Sequence, residues 1–410
     1  MSASPFAHVP PFAGDPILSL NEDFGRDPRP DKVNLGIGVY LDEHGILPQL
    51  AAVREAECRV FQRGGAKPYL PMSGAPDYRH LAQELAFGAD AAVLRQGRVA
   101  TIQTLGGSGA LRIGADFLKA SHPASGAWVS DPTWENHYGL LGGCGIEVQP
   151  YPYYDPATGG IALDRMLHTL SALPARSIVV LHACCHNPTG VDPSPAEWEA
   201  ICQVIADRGL IAFVDMAYQG FGRGMDEDAR VPRMLAQAGA SFLLACSFSK
   251  NLSLYGERCG ALHVVCGSAD EAVRVQGQLQ AAVRRNYSNP PTQGAALIAT
   301  VLADEALRAS WLAELSAMRE RIADMRVRLR AALQALLPAA DYGYLTRQQG
   351  LFSYTGLSPE HVDRLRQDSA IYLLRSGRMC MAGLTPANLP HVARAIAATV
   401  AQPQPAPQAA

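Results

Sequence analysis

The sequence predicts an α/β fold: a mostly parallel sheet sandwiched by helices in a large domain, with a smaller α/β domain attached. Three observations predict it. Continuous apolar runs of strand length end at turn signals: Ile178–His182 leads into Asn187-Pro188-Thr189-Gly190, Leu210–Val214 into Asp215, and Phe242–Cys246 into Ser247-Phe248-Ser249-Lys250. Such runs mark strands buried on both faces, as parallel strands are. Helical segments such as Ala196–Arg208 lie between them, and that alternation is the signature of a layered α/β architecture. The chemically loaded residues gather where the runs stop, at the carboxyl ends of strands, which is where open α/β sheets bind ligands.

Taken in order, the chain begins with a stretch of weak pattern that carries Phe6, Val9 and Phe12. Residues 1–14 are expected to form an arm that docks on a neighbour. Residues 15–47 are expected to open the small domain, 48–317 to form the large domain and 318–400 to complete the small one. Val99–Gln103 reads as a strand running to Gly106-Gly107, and Ala110–Lys119 as the helix after it. Ala127–Ser130 is a strand end closed by Asp131-Pro132. From Leu312 to Leu337, Met318, Ile322, Met325, Leu329, Leu333 and Leu336 recur at helical spacing. That predicts one long amphipathic helix bridging into the small domain, with Arg319, Arg326 and Arg330 solvated on its other faces. Residues 401–410, rich in Pro, Gln and Ala, are expected to be a disordered tail.

A chain of 410 residues with 48% apolar and 18% charged residues has the composition of a compact protein of about two domains. A formal net charge of −3 gives no electrostatic case for nucleic acid or an anionic membrane. No signal peptide and no membrane span are expected. The nine cysteines show neither a CxxC pair nor a secreted-type framework, which predicts a reducing cytoplasm. His182, Cys184, Cys185 and His186 have the composition of metal ligands. Neighbouring cysteines on an extended strand point to opposite faces, however, and no second pair closes a tetrahedron, so no metal is expected.

Lys250 carries the strongest chemical signal. A lysine amine is what an aldehyde needs, while Ser247, Ser249 and the nearby Arg258 offer hydroxyls and a guanidinium to a phosphate. A lone lysine in a polar loop is otherwise a surface residue. Gly106-Gly107-Ser108-Gly109 joins a strand to a helix, where free N–H groups suit an anion. It is neither a Walker motif nor a complete dinucleotide fingerprint. Asp215 ends an apolar run, and a carboxylate buried there needs a cation such as a protonated pyridine nitrogen; the alternative is a helix cap. Tyr218 lies three residues on. Trp134 could stack on a flat ring or simply fill the core. Arg284 and Arg378 could each hold a carboxylate through paired hydrogen bonds, although a surface position is the default for an arginine.

In this order and combination, the residues resemble the class I aspartate and aromatic amino acid aminotransferases. The likeness runs from Asp15-Pro16-Ile17-Leu18 through Asn34–Tyr40, His186–Gly190, Asp215–Phe221 and Ser253–Arg258 to Ser376–Cys380. The resemblance implies the pyridoxal-phosphate-dependent aminotransferase fold of type I and a set of roles. Lys250 would make the covalent link to the cofactor aldehyde and move the substrate proton. Asp215 would keep the pyridine nitrogen protonated, Tyr218 and Asn187 would bond the ring oxygen, and Trp134 would stack on the ring. Gly107, Ser108, Ser247, Ser249 and Arg258 would hold the phosphate, with Tyr69 reaching it from the neighbouring subunit of a homodimer. Arg378, helped by Asn187 and the Gly38 backbone, would take the substrate α-carboxylate. Arg284 would cross the interface to a side-chain carboxylate, and His137 and His182 would stand behind Trp134 and Asp215.

Tyr69–Met72, Thr104–Ser108, Ser130–His137 and Phe352–Leu357 look most like the bacterial aromatic branch, and Leu41, Ile46 and Leu47 add apolar surface for a ring. Val39 and Asn289 look more like the aspartate branch. The expected activity is therefore amino transfer between aromatic or dicarboxylic amino acids and 2-oxo acids such as 2-oxoglutarate. A strict aspartate aminotransferase is the alternative. A β-lyase or decarboxylase on the same fold would not need Arg284, and a silent binding protein would not need intact Lys250, Asp215, Arg258 and Arg378.

Overall fold

The computed structural model describes residues 4–12 and 14–402. Its centre is a seven-stranded sheet built from β1 (Val99–Leu105), β2 (Ala127–Asp131), β3 (Val148–Pro152), β4 (Ile178–His182), β5 (Ile211–Met216), β6 (Phe242–Ser247) and β7 (Cys259–Val265). The spatial order is β1-β7-β6-β5-β4-β2-β3. The pairs from β6 to β3 are parallel, and β7 runs antiparallel between β6 and β1.

The apolar runs are explained by alternation. Val180, Phe213, Leu243 and Ala245 pack into one core, while Val179, Leu181, Ala212, Val214, Leu244 and Cys246 pack into a second core on the opposite face. Because both faces are covered, no polar alternation is left to read. Burying a side chain such as the fully enclosed Phe213 stabilises the fold by about 1.5–3 kcal/mol. Helix Pro195–Arg208 starts with a reciprocal cap, the Ser194 hydroxyl accepting from the Glu197 amide and the Glu197 carboxylate from the Ser194 amide.

The predicted bridging helix spans Glu305–Leu336, 32 residues or about 48 Å. Met318, Ile322, Met325, Leu329 and Leu333 are buried as the spacing requires, while Leu336 is 45% exposed. The expected boundary at 317/318 falls inside this unbroken helix. Arg326 corrects the expectation of solvated arginines. It is 4% exposed and donates to the carbonyls of Leu345 (3.0 Å), Gly350 (2.9 Å) and Phe352. Buried backbone carbonyls need donors, and a guanidinium that supplies three of them is drawn inward. Arg319 also turns in, donating to the Gly220 carbonyl at 3.1 Å.

Beside the helix lie two small sheets. Val33–Asn34 pairs in parallel with Ile371–Tyr372, and Phe352–Tyr354 pairs antiparallel with Arg378–Cys380. The N-terminal segment is tied to the C-terminal one, because Leu35 donates to the Tyr372 carbonyl (2.8 Å) and accepts from Cys380 (2.7 Å). Asp15 caps helix Pro16–Arg26 by accepting from the Ile17 and Leu18 amides. The expected tail needs one change: Ala401 closes the last helix, Leu389–Ala401, and Gln402 accepts from Arg364 at 3.0 Å. Residues 403–410, like 1–3 and 13, lie outside the described residues. Among the described residues, no helix is long and apolar enough to cross a membrane.

Candidate active site

The carboxyl ends of β1, β5 and β6 and the helix after β1 converge on a cavity of about 230 Å³. Gly107, Ser108, Trp134, Asn187, Asp215, Tyr218, Ser247, Ser249, Lys250 and Arg258 all line it, together with Leu111, His182 and Ala217. Ten candidates scattered over 150 residues of sequence thus share one space.

One end of the cavity is built for an anion. Helix Gly106–Ser121 begins there, four residues earlier than the predicted Ala110, with no side-chain cap and no acidic residue in its first turn. Its uncapped N–H groups carry the positive end of the helix dipole. Gly106 is favoured by its left-handed backbone, φ 69, and a Cβ there would also push the Arg258 guanidinium, 2.7 Å away at Nη2. The Arg258 backbone has φ 54, and its Nη1 donates to the Tyr255 carbonyl at 3.0 Å, which turns the guanidinium across the helix start.

The opposite end holds an acid. Asp215 is 4% exposed, and among the described residues its carboxylate has one hydrogen-bond partner, His137 Nε2 at 3.2 Å. Burial pushes its pKa up, but the His137 hydrogen bond and the fields of His182, His137 and Lys250 outweigh it, leaving the carboxylate below its ordinary value. Thr133 Oγ1 lies 2.8 Å from His137 Nδ1, so a hydroxyl donating there leaves Nε2–H free for Asp215. Beside them, burial and then the neighbouring His137 push His182 down to about 3. Its buried Nε2 has no partner.

Lys250 stands between the two ends, its Nζ 5.0 Å from the centre of the Tyr218 ring. Burial lowers its pKa to about 8, against the opposing pull of Asp215, with Arg258 and Arg378 adding to the fall. A substantial fraction of the amine is therefore neutral and nucleophilic near neutral pH.

Arg378, 3% exposed, does not itself line the cavity and reaches it through Asn187, which does. It donates through Nη1 to Asn187 Oδ1 (3.0 Å) and through Nη2 to the Gly36 carbonyl (2.7 Å), and lies 4.2 Å over the Phe352 ring. Its buried Nε has no partner. Phe352 also meets Tyr218 edge-on at 5.8 Å, and a Cβ on Gly38 would stand 2.8 Å from Phe352 Cζ. Phe352 and the Gly36 carbonyl received no role from the sequence. Tyr354 pairs with Arg378, so Phe352, two residues away, shares its face. That relation is readable only once the register is known.

Four expected residues do not line the cavity: Gly38, Arg378, Tyr69 and Arg284. Tyr69 is 90% exposed, and the exposed Arg284, in the last turn of helix Ala269–Asn286, donates to the Ser288 hydroxyl. Ile46 and Leu47 are likewise exposed (62% and 44%), and neither they nor Leu41 lines the cavity.

The argument against a metal at the paired cysteines also needs correction. Cys184 and Cys185 lie beyond the end of β4, not on it, and Cys185 has φ 52. Their sulfurs and a carboxylate oxygen of Asp228 all lie within 4.8 Å of one another.

The donors match a pyridoxal phosphate. An uncapped helix start with an arginine and hydroxyls suits its phosphate, a low-pKa lysine its aldehyde, and an ionised buried Asp with one partner its ring nitrogen. The unpartnered His182 Nε2 is a further polar atom awaiting a neighbour.

A family model for class I and II aminotransferases matches residues 30–396. The aromatic-amino-acid aminotransferase of Escherichia coli K12 is 57% identical over 96% of this chain and 100% of its own. The aspartate aminotransferase of Pseudomonas aeruginosa is 48% identical over 95% of this chain and 98% of its own. Among solved structures, the Burkholderia pseudomallei aromatic-amino-acid aminotransferase covalently bound to pyridoxal phosphate superposes with a TM-score of 0.95 at 49% identity, covering 97% of this chain and all of that one.

Proposed function

The chain belongs to the class I and II aminotransferase family, and from that premise we propose a pyridoxal-phosphate-dependent enzyme that moves amino groups between aromatic or dicarboxylic amino acids and 2-oxo acids. The observation that carries it is a single cavity holding a depressed-pKa lysine, an ionised buried aspartate and an uncapped helix start. When bound, pyridoxal phosphate supplies the electron sink that lets a Cα–H bond break.

The chain's own residues do the rest. Lys250 Nζ would hold the aldehyde of the bound cofactor and would serve as the base that moves a proton off the substrate Cα. Asp215, held ionised by His137 and Thr133, would keep a proton on the ring nitrogen. Trp134 would cover the ring, and Tyr218 and Asn187 would bond the ring oxygen. Gly107, Ser108, Ser247, Ser249 and Arg258 anchor the phosphate. Arg378, with its unpartnered buried Nε, receives the α-carboxylate beside Asn187 and the Gly38 backbone, and Phe352 supports it from below.

The proposal extends to a homodimer. Exposed Tyr69 reaches the other subunit's phosphate site, and exposed Arg284 meets a substrate side-chain carboxylate across the interface. Exposed Phe6, Phe12 and Phe61, each at least 75% accessible, are apolar surface a partner would cover. Segments 15–47 and 318–400 act as one body closing over 48–317. Nine free cysteines, six of them buried, support a cytoplasmic setting.

Keto-acid formation from a panel of amino donors with 2-oxoglutarate tests the activity. Turnover of phenylalanine or tyrosine as well as aspartate supports dual use. Turnover of aspartate alone selects the strict aspartate reading, which the 48% identical Pseudomonas relative keeps in view.

A further inference from the structure

Cys184, Cys185 and Asp228 take no part in the chemistry above, yet they form a compact ligand set. The left-handed turn at Cys185 brings together two thiols that an extended strand would separate. Their sulfurs and one Asp228 oxygen lie within 4.8 Å of one another, and the three residues are 5%, 1% and 4% exposed. Asp228 is held in place: Oδ2 accepts from the Gly220 (2.8 Å) and Gly222 (2.9 Å) amides, and Oδ1 from the Arg223 amide (2.8 Å). Each oxygen has more than one acceptor direction, and Oδ1 uses only one here. Gly222 keeps the space between ligands clear, since a Cβ there would stand 2.6 Å from Asp228 Oδ1 and 3.2 Å from Cys185 Sγ.

A crevice of about 40 Å³ lined by Cys184, Asp192, Arg223, Asp228 and Gln349 meets this group, and that is room for a water or a small ion. Asp192, half-buried beside it, accepts from the Cys185 (2.6 Å) and His186 (2.8 Å) amides and adds negative potential. The cations that face the set are Arg223, Arg319 and Arg326, and Glu227 and Arg230 line the crevice as well. The arginines compete with a cation for the carboxylates but favour the thiolates that bind one.

We propose that Cys184, Cys185 and Asp228 form a site for one soft divalent cation of the Zn²⁺ or Cd²⁺ class, with water in the crevice completing a four-ligand shell. Thiolates select soft ions over Mg²⁺ or Ca²⁺. Binding forms two metal–sulfur bonds and releases two thiol protons to solvent, with no change of oxidation state. Occupied, the site ties the turn that carries Asn187 to the Gly220–Arg223 loop that follows Tyr218.

The test is a Cd²⁺ titration of the cofactor-loaded enzyme carrying Cys58→Ser, which removes the exposed cysteine. The sulfur-to-cadmium charge-transfer band should saturate at one ion per chain with two protons released per ion. Adding Cys184→Ser or Cys185→Ser should weaken binding at least about tenfold. Absence of the band, or binding indifferent to both substitutions, overturns the site; the second result would point to Cys144 beside Asp116 instead. Should the serine variants fail to fold, anomalous diffraction from a Cd²⁺-soaked crystal of the Cys58→Ser protein decides. A peak between the two sulfurs supports the site, and peaks only elsewhere overturn it.

Discussion

The cofactor cradle and the substrate rim are built in opposite ways. The cradle uses the carboxyl ends of β1, β5 and β6, and a single chain assembles its half-buried lysine, its buried aspartate and histidine and its uncapped helix start. Of the residues expected to read the substrate side chain, Arg284, Ile46 and Leu47 are exposed and absent from the cavity wall, as is Tyr69, the one expected to reach a neighbouring subunit's phosphate. The difference teaches that one chain's core assembles the buried groups, whereas the side chains proposed to choose the substrate lie on its exposed surface, where the proposed second subunit would have to complete the site.

The sharpest way to break this comparison is at Lys250. Lys250→Ala should leave the fold intact and cost at least about two to four decades of turnover from lost proton transfer alone. Steady-state rates without added amine measure it, and normal turnover would remove the cradle's central residue.

Next come the two arginines, one from each region. Arg378→Leu should lower kcat/KM for aspartate and phenylalanine alike by roughly two to three decades, about 3–4 kcal/mol. Arg284→Leu should impose a similar loss on aspartate and much less on phenylalanine, because a ring presents no second carboxylate. Phenylpyruvate as acceptor for aspartate keeps 2-oxoglutarate from confounding the assay. Equal losses for both donors in Arg284→Leu would erase the division between cradle and rim.

Asp215→Ala should cost about two decades in kcat and weaken cofactor retention, near the 3 kcal/mol of a charge-assisted contact. Dialysis followed by the visible absorbance of retained cofactor measures the second effect. Wild-type retention and rate would make Asp215 only a partner for His137.

The smallest effect is a pH dependence. Lys250 is depressed to about 8, so protonation suppresses its nucleophilicity below that value and releases it above. The rate at which cofactor-free enzyme captures pyridoxal phosphate should rise about tenfold from pH 7 to 9 and then level, where an ordinary lysine would keep rising toward pH 10.4. A profile still climbing steeply above pH 9 would contradict the buried-amine account.

What the sequence determined by itself was local. Strand runs follow from burial on both faces, and Ser247, Ser249, Lys250 and Asp215 announce themselves because turn chemistry and strand ends are written over a few neighbouring residues. That was enough for the layered fold and for most of the cradle. Tertiary packing decided the rest. His137 reaches Asp215 from 78 residues away, and Gly36 meets Arg378 across 342 residues. Phe352 comes under that guanidinium through a strand register. Arg326 has the spacing of a solvated arginine, and only the backbone carbonyls of Leu345, Gly350 and Phe352, which accept from it, place it inward. The paired cysteines converge because one backbone φ is positive, which the residue type does not announce. Periodicity and turn residues encode which groups lie near in sequence. Which distant groups meet is settled by packing and by the need to pair every buried polar atom.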